Sequence, residues 1–200
     1  MEDKKKQIVE LAQEEFKRYG IKSVSIDDLS RSLGISKKTF YQYFPAKDDL
    51  VRAVLVQKFA TVNENATKFM EGRSATECVR LIMEMHSKID DVHKEPAFSY
   101  DLRKYYPTLY KEHVKAVNIL TKEILRHHLQ QGKDEGVYRE DLDVEMCAIM
   151  YSLIQQAFMR NEGDIKSVSP RRLMRFTTES FFRSIVSEKG AEVFRNMKIL

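Results

Sequence analysis

Gly20, Gly34 and Pro45 cut the first 45 residues into stretches so short that only three helices with tight turns fit between them. From Asp3 to Tyr19 the apolar side chains fall at Ile8, Leu11, Ala12, Phe16 and Tyr19. That spacing lines one face of a helix, and Gly20 stops it. Ser25, with Asp28 three residues on, has the form of a capping box and opens a shorter helix with Ile26, Leu29 and Leu33 inward. Gly34 ends that helix. Ser36 caps a third, which turns Phe40 and Phe44 inward before Pro45 closes it.

The same scarcity of turn residues holds throughout. Seven Gly and four Pro in 200 residues exclude turn-dense sandwiches and barrels, so the fold class is all-α. Lys47 to Phe69 reads as one helix, with Asp48 and Asp49 in the first turn where negative charge suits the helix dipole. Ser74 and Glu77 form a second capping box, opening a helix to about His93. Pro96 and Pro107 each start a helix, the second ending near Gln131. The polar segment from Gly132 to Asp141 reads as a loop. Val144 to Arg160 and Pro170 to Lys189, the latter capped by Ser169, complete a count of about nine helices.

Charged residues at 32% and apolar ones at 42% are mixed along the chain, the balance of a folded helical protein. The N-terminus has no apolar leader, and the longest apolar stretch, Cys147 to Ile154, is broken by Ser152. A membrane span needs about 20 such residues. A cytoplasmic location without membrane contact is expected, with Cys78 and Cys147 as buried reduced thiols.

Catalysis finds no support. GxSxG, HExxH, P-loop and GxGxxG patterns are absent, so no catalytic residues and no cofactor are assigned. His86 and His93 share a helical face with Cys78 nearby, but two histidines seven apart lack close ligand spacing, and no metal site is assigned.

The informative segment runs from about residue 25 to 44. A helix-turn-helix needs a glycine at its tight turn, apolar residues locking two helices steeply, and a second helix with a free face. Gly34 supplies the turn, Ile35 plugs the joint, and Phe40 and Phe44 anchor the second helix. Its remaining face carries Lys37 with Tyr41, Lys38 with Gln42, and Thr39 with Tyr43, each pair one turn apart. The chain's formal charge, 34 basic against 30 acidic, is only +4. Locally the field is stronger, because Arg31, Lys37, Lys38 and Lys47 lie in a stretch with no acidic residue between Asp28 and Asp48. Local positive charge is what phosphate contact demands. Lys47 also sits at a helix N-terminus, where its ammonium and free N–H groups could share a phosphate.

The runs Ser25-Ile26-Asp27-Asp28-Leu29-Ser30, Gly34 to Phe44 and Lys47-Asp48-Asp49-Leu50 resemble the N-terminal signature of the tetracycline-repressor family of bacterial regulators, over about residues 5 to 55. The resemblance implies a DNA-binding domain at 1–46 and a helical ligand-binding and dimerisation domain at 47–200. It implies that Lys37, Lys38 and Tyr41 face base edges or the adjoining backbone. Thr39, Tyr43 and Lys47 would hold phosphates, and Ser25 and Ser36 would cap the two helices beside the duplex. Phe40 stands where the family commonly has Leu, Lys38 where it often has a small residue, and Ala46 where Ser or Asn is common.

The expected partners are double-stranded DNA with a palindromic operator, an apolar small-molecule effector and a second copy of the chain. Residues 144–160 and 170–189 carry more apolar surface than one core stripe needs, which a dimer would cover. Effector residues are not assignable, because Met83, Met85, Tyr106, Met150 and Tyr151 suit a core as well as a pocket. The alternative is a helical ligand- or protein-binding module without sequence-specific DNA binding. Salt separates the two, since phosphate neutralisation gives a steep log–log slope.

Overall fold

The computed structural model describes residues 2–87, 96–160 and 168–196; the side chains of 86, 87, 159 and 160 are outside that description. Ten helices are present among these residues: α1 (Glu2–Tyr19), α2 (Ile26–Ser32), α3 (Lys37–Tyr43), α4 (Lys47–Met70), α5 (Ala75–Ser87), α6 (Ala97–Tyr105), α7 (Pro107–Asp134), α8 (Val144–Arg160), α9 (Pro170–Ile185) and α10 (Glu188–Asn196). The described residues contain no strand, only an isolated antiparallel bridge between Tyr138 and Val186. No described helix is long and apolar enough to cross a membrane.

Packing divides the chain into two units, residues 1–63 with 94–117 and residues 64–93 with 118–200. The first unit buries Ile8, Ala12 and Phe16 of α1, Leu29 of α2, Phe40 of α3 and Leu50 of α4 in one core, with Phe98 and Leu102 of α6. The helix-turn-helix is therefore packed on a frame that includes α6 and the first part of α7. The second unit has its own core, in which Val79, Leu129, Tyr138, Phe181, Phe182 and Phe194 meet.

The second unit departs from the sequence reading in three places. The helix starting at Pro107 runs to Asp134, past Gly132, because Gly132 faces the Tyr138 ring; a Cβ there would stand 2.1 Å from ring carbons. Gly136, at φ +70°, makes the actual turn. The last predicted helix breaks after Ile185, because Arg139 N–H donates to the Ile185 carbonyl and Ser187 N–H to that of Val137, drawing the chain out straight. Ser187 then caps α10, its hydroxyl accepting from Gly190 N–H at 3.0 Å, giving ten helices rather than nine. Cys78 is buried as expected, whereas Cys147 is only half-buried; both are free thiols. The end of the helix predicted to reach His93 lies outside the described residues, as do the side chains of His86 and His93.

Candidate nucleic-acid interface

The motif is assembled by caps. Ser25 accepts from Asp28 N–H at 3.1 Å while its own N–H and hydroxyl donate to the Asp28 carboxylate, a complete capping box. These bonds, the hydroxyl's first, hold the Asp28 carboxyl below its ordinary pKa. At the turn Gly34 adopts φ +63°, a left-handed conformation that glycine reaches without a Cβ penalty, and Ile35 N–H returns to the Ser30 carbonyl at 3.0 Å. Ser36 then caps α3, accepting from Thr39 N–H at 3.0 Å, with the two hydroxyls 2.8 Å apart. Asp49 accepts from Ala46 N–H at 3.0 Å, one half of a capping box, while Ala46 has no hydroxyl to cap the helix that begins at Lys47.

Phe40 and Phe44 are fully enclosed, and the opposite face of α3 presents Lys37, Lys38, Tyr41 and Gln42 to solvent. Thr39 and Tyr43 are half-buried at its flank, with Tyr43 packed on the core. Tyr41 is 41% exposed and meets Phe40 edge-on, so its ring is braced while its hydroxyl is outward. Lys37 pairs with Asp27 at 3.0 Å, a contact that raises its pKa. Lys38 has no ion-pair partner among the described residues.

Lys47 is occupied differently from the sequence expectation. Its ammonium donates to the carbonyls of Ile21 and Val24, both at 2.6 Å, bracing the corner between α1 and α2 from inside. Burial pushes its pKa down, and the Asp101 carboxylate opposes that shift. Asp101, 8% exposed on α6, accepts from Lys22 N–H at 2.8 Å on the same corner. Gly20, at φ +86°, has no room for a side chain here, since a Cβ would lie 2.7 Å from the Asp101 carboxylate. Lys22 also donates to Tyr105 at 3.3 Å, which lowers the phenol's pKa. Asp101 and Tyr105 were invisible to sequence reasoning, because the first bond links residues 79 apart and no local pattern encodes it.

In the second unit α4, α5, α7, α8 and α9 line a cavity of about 370 Å³. Of its lining residues His128 and Phe182 are buried, while Asn65 and Met85 are exposed. His128 shares a 2.7 Å hydrogen bond with the Tyr138 hydroxyl. Burial, with His127 adding to it, pushes its pKa down to about 4.

An all-helical chain whose second and third helices are joined by a glycine turn, with a polar and cationic face on the third, is a helix-turn-helix regulator in form. The family model for bacterial regulatory proteins, tetR family, matches residues 8–54. The HTH-type transcriptional repressor KstR2 of Rhodococcus jostii is 23% identical over 146 residues, 70% of this chain and 71% of that one. A TetR/AcrR-family transcriptional regulator from Thermobifida fusca superposes at a TM-score of 0.60, with 19% identity over 90% of this chain and 97% of that chain. A transcriptional regulator from Saccharomonospora viridis, solved with choline, reaches 0.66, with 18% identity over 94% and 100%. Residues 8–54 thus match a tetR-family DNA-binding domain, and the similarity to HTH-type repressors supports a DNA-binding transcription regulator rather than an enzyme.

Proposed function

We propose that this regulator is a cytoplasmic homodimeric repressor that seats α3 of each subunit in the major groove of a palindromic operator and leaves it when a small apolar molecule binds. The carrying observation is the outward face of α3, where Lys37, Lys38 and Tyr41 stand on a helix anchored by two buried phenylalanines. Ser36 and Thr39 sit at its N-terminal end, where exposed N–H groups and hydroxyls suit the sugar–phosphate backbone. Tyr43 and Ser25 flank the same surface. Lys47 contributes by holding the corner behind it.

The test is a pair of titrations, one on palindromes selected from a random DNA pool and one on random duplex. Lys37→Ala with Tyr41→Ala loses about 2–6 kcal/mol of operator affinity over both half-sites, at about 1–3 kcal/mol for each correctly read pair. Random duplex loses only the phosphate attraction of one lysine per subunit. Unchanged operator binding would show that the reading face lies elsewhere.

One motif touches too few base pairs for high specificity, so two copies about 34–36 Å apart on the duplex are required. Support for self-association comes from Met146, Met150 and Leu153, which share an exposed face of α8, and from Phe176 of α9, 66% exposed. Water-facing apolar groups of this size mark an interface. Light scattering should give twice the 23.5 kDa chain mass, and Leu153→Glu with Phe176→Glu should return it to 23.5 kDa with operator affinity reduced to that for random duplex. A double variant that remains dimeric would remove α8 and α9 from the interface.

The cavity of the second unit is the proposed effector seat. Moving the protein from mostly DNA-competent to mostly incompetent needs a ligand that prefers the second state by about 10⁴-fold, about 5.5 kcal/mol. A largely apolar site provides such discrimination through the burial of apolar ligand surface.

A further inference from the structure

We infer that the cavity selects an uncharged amphiphile, a molecule with an apolar body seated against Phe182 and a neutral hydrogen-bonding head at the Asn65 rim. The inference rests on the effector reading above and adds the chemical class of the ligand.

The described lining of the cavity carries no group that would pair with a charge. Aspartate, glutamate, lysine and arginine are all missing from its described lining. The one basic ring there, His128, is buried against Phe182 and Tyr138 in edge-on contacts, and its Nε2 is engaged by the Tyr138 hydroxyl. Burial keeps that imidazole neutral near pH 7. An anion or cation entering here would leave its hydration shell for a site with no counter-charge, the costly case for burial.

Burial along the lining is uneven: Cys78, Leu125, His128 and Phe182 are buried, Thr121 and Tyr151 half-buried, and Asn65 exposed. An apolar chain inserted first therefore meets hydrocarbon and ring surfaces, and an uncharged head remains within reach of an amide and a hydroxyl. Met70, Met85 and Ile82 give the wall an adaptable surface, so chain shape is less constrained than charge. Three aromatic rings also line the space, and aromatic faces attract quaternary ammonium groups, so the cation is the rival to be tested directly.

The experiment uses the full chain and three ligands with one ten-carbon tail: decanol, decanoate and decyltrimethylammonium. Each displaces the neutral fluorophore N-phenyl-1-naphthylamine. Decanol should bind at least tenfold tighter than either ion. Ile82→Trp and Ile124→Trp, which fill the cavity from two different helices, should each abolish fluorophore uptake while the helical circular dichroism signal stays native. Equal or tighter binding of decanoate or decyltrimethylammonium overturns the ligand class. Undiminished uptake by either natively folded tryptophan variant overturns the site. Decanol is also added to the operator complex. Binding in the cavity without loss of operator affinity upholds the ligand class and overturns the effector reading, so the two failures are distinguishable.

Discussion

Phe40→Ala should strongly destabilise the reading head and weaken operator binding, although the ring touches no DNA in the arrangement proposed here. Phe40 is 0% exposed, on a helix only seven residues long, and its ring packs near those of Tyr41 and Phe44 at 6.1 Å. A helix that short has no stability of its own in water, so tertiary packing holds it. Truncating a buried phenylalanine costs about 3–5 kcal/mol, a large part of the roughly 5–15 kcal/mol that keeps an ordinary domain folded. Thermal unfolding followed by circular dichroism, with operator titration alongside, measures both losses. Phe40→Leu is the companion variant. It keeps an apolar side chain of similar size and should cost about 1.5 kcal/mol or less, with binding retained. Wild-type stability and affinity in the alanine variant would mean that α3 is anchored by something other than this ring.

Lys47→Met should destabilise the first unit by about 3 kcal/mol and leave the salt dependence of DNA binding almost unchanged. Two bonds from one ammonium reach the carbonyls of Ile21 and Val24, residues that are themselves buried. Hydrogen bonds involving a charged group are worth about 1.5–3 kcal/mol each, and relief from desolvating the ammonium offsets part of the sum. Methionine preserves the length and apolar stem, so the loss isolates the charge. A phosphate contact behaves oppositely: stability is retained, and the salt slope falls by about one unit. The two measurements on one variant thus separate an internal brace from a DNA contact.

The fold of the first 45 residues is legible because its signals are local. Ser25 with Asp28, Gly34 at the turn, and Ser36 ahead of Thr39 each act over three or four residues, and each makes the cap or turn that its sequence implies. The outward face of α3 follows from the inward pull of Phe40 and Phe44 by helical periodicity alone. What sequence could not supply is pairing at a distance. The brace formed by Lys47 and Asp101 joins the connection between α1 and α2 to α4 and α6, and the stop at Ile185 depends on hydrogen bonds from a loop near residue 138. Gly132 misleads for the same reason: its missing side chain serves an aromatic ring six residues on, not a helix end. Methionines and aromatics in the middle of the chain give no local sign of whether they fill a core or border an empty space.

In the arrangement proposed above, the ion pair between Lys37 and Asp27 has a consequence for a regulator that must search a genome. Away from its target, one of the reading lysines is already quieted by a carboxylate of its own subunit. Nonspecific duplex must displace that carboxylate to attract it, and so must the operator. An exposed pair of this kind is weak, and it taxes stray encounters and true ones alike, lowering both affinities without changing their ratio. The internal partner thus shortens idle residence on the wrong sequences and loosens the grip on the right one by the same measure.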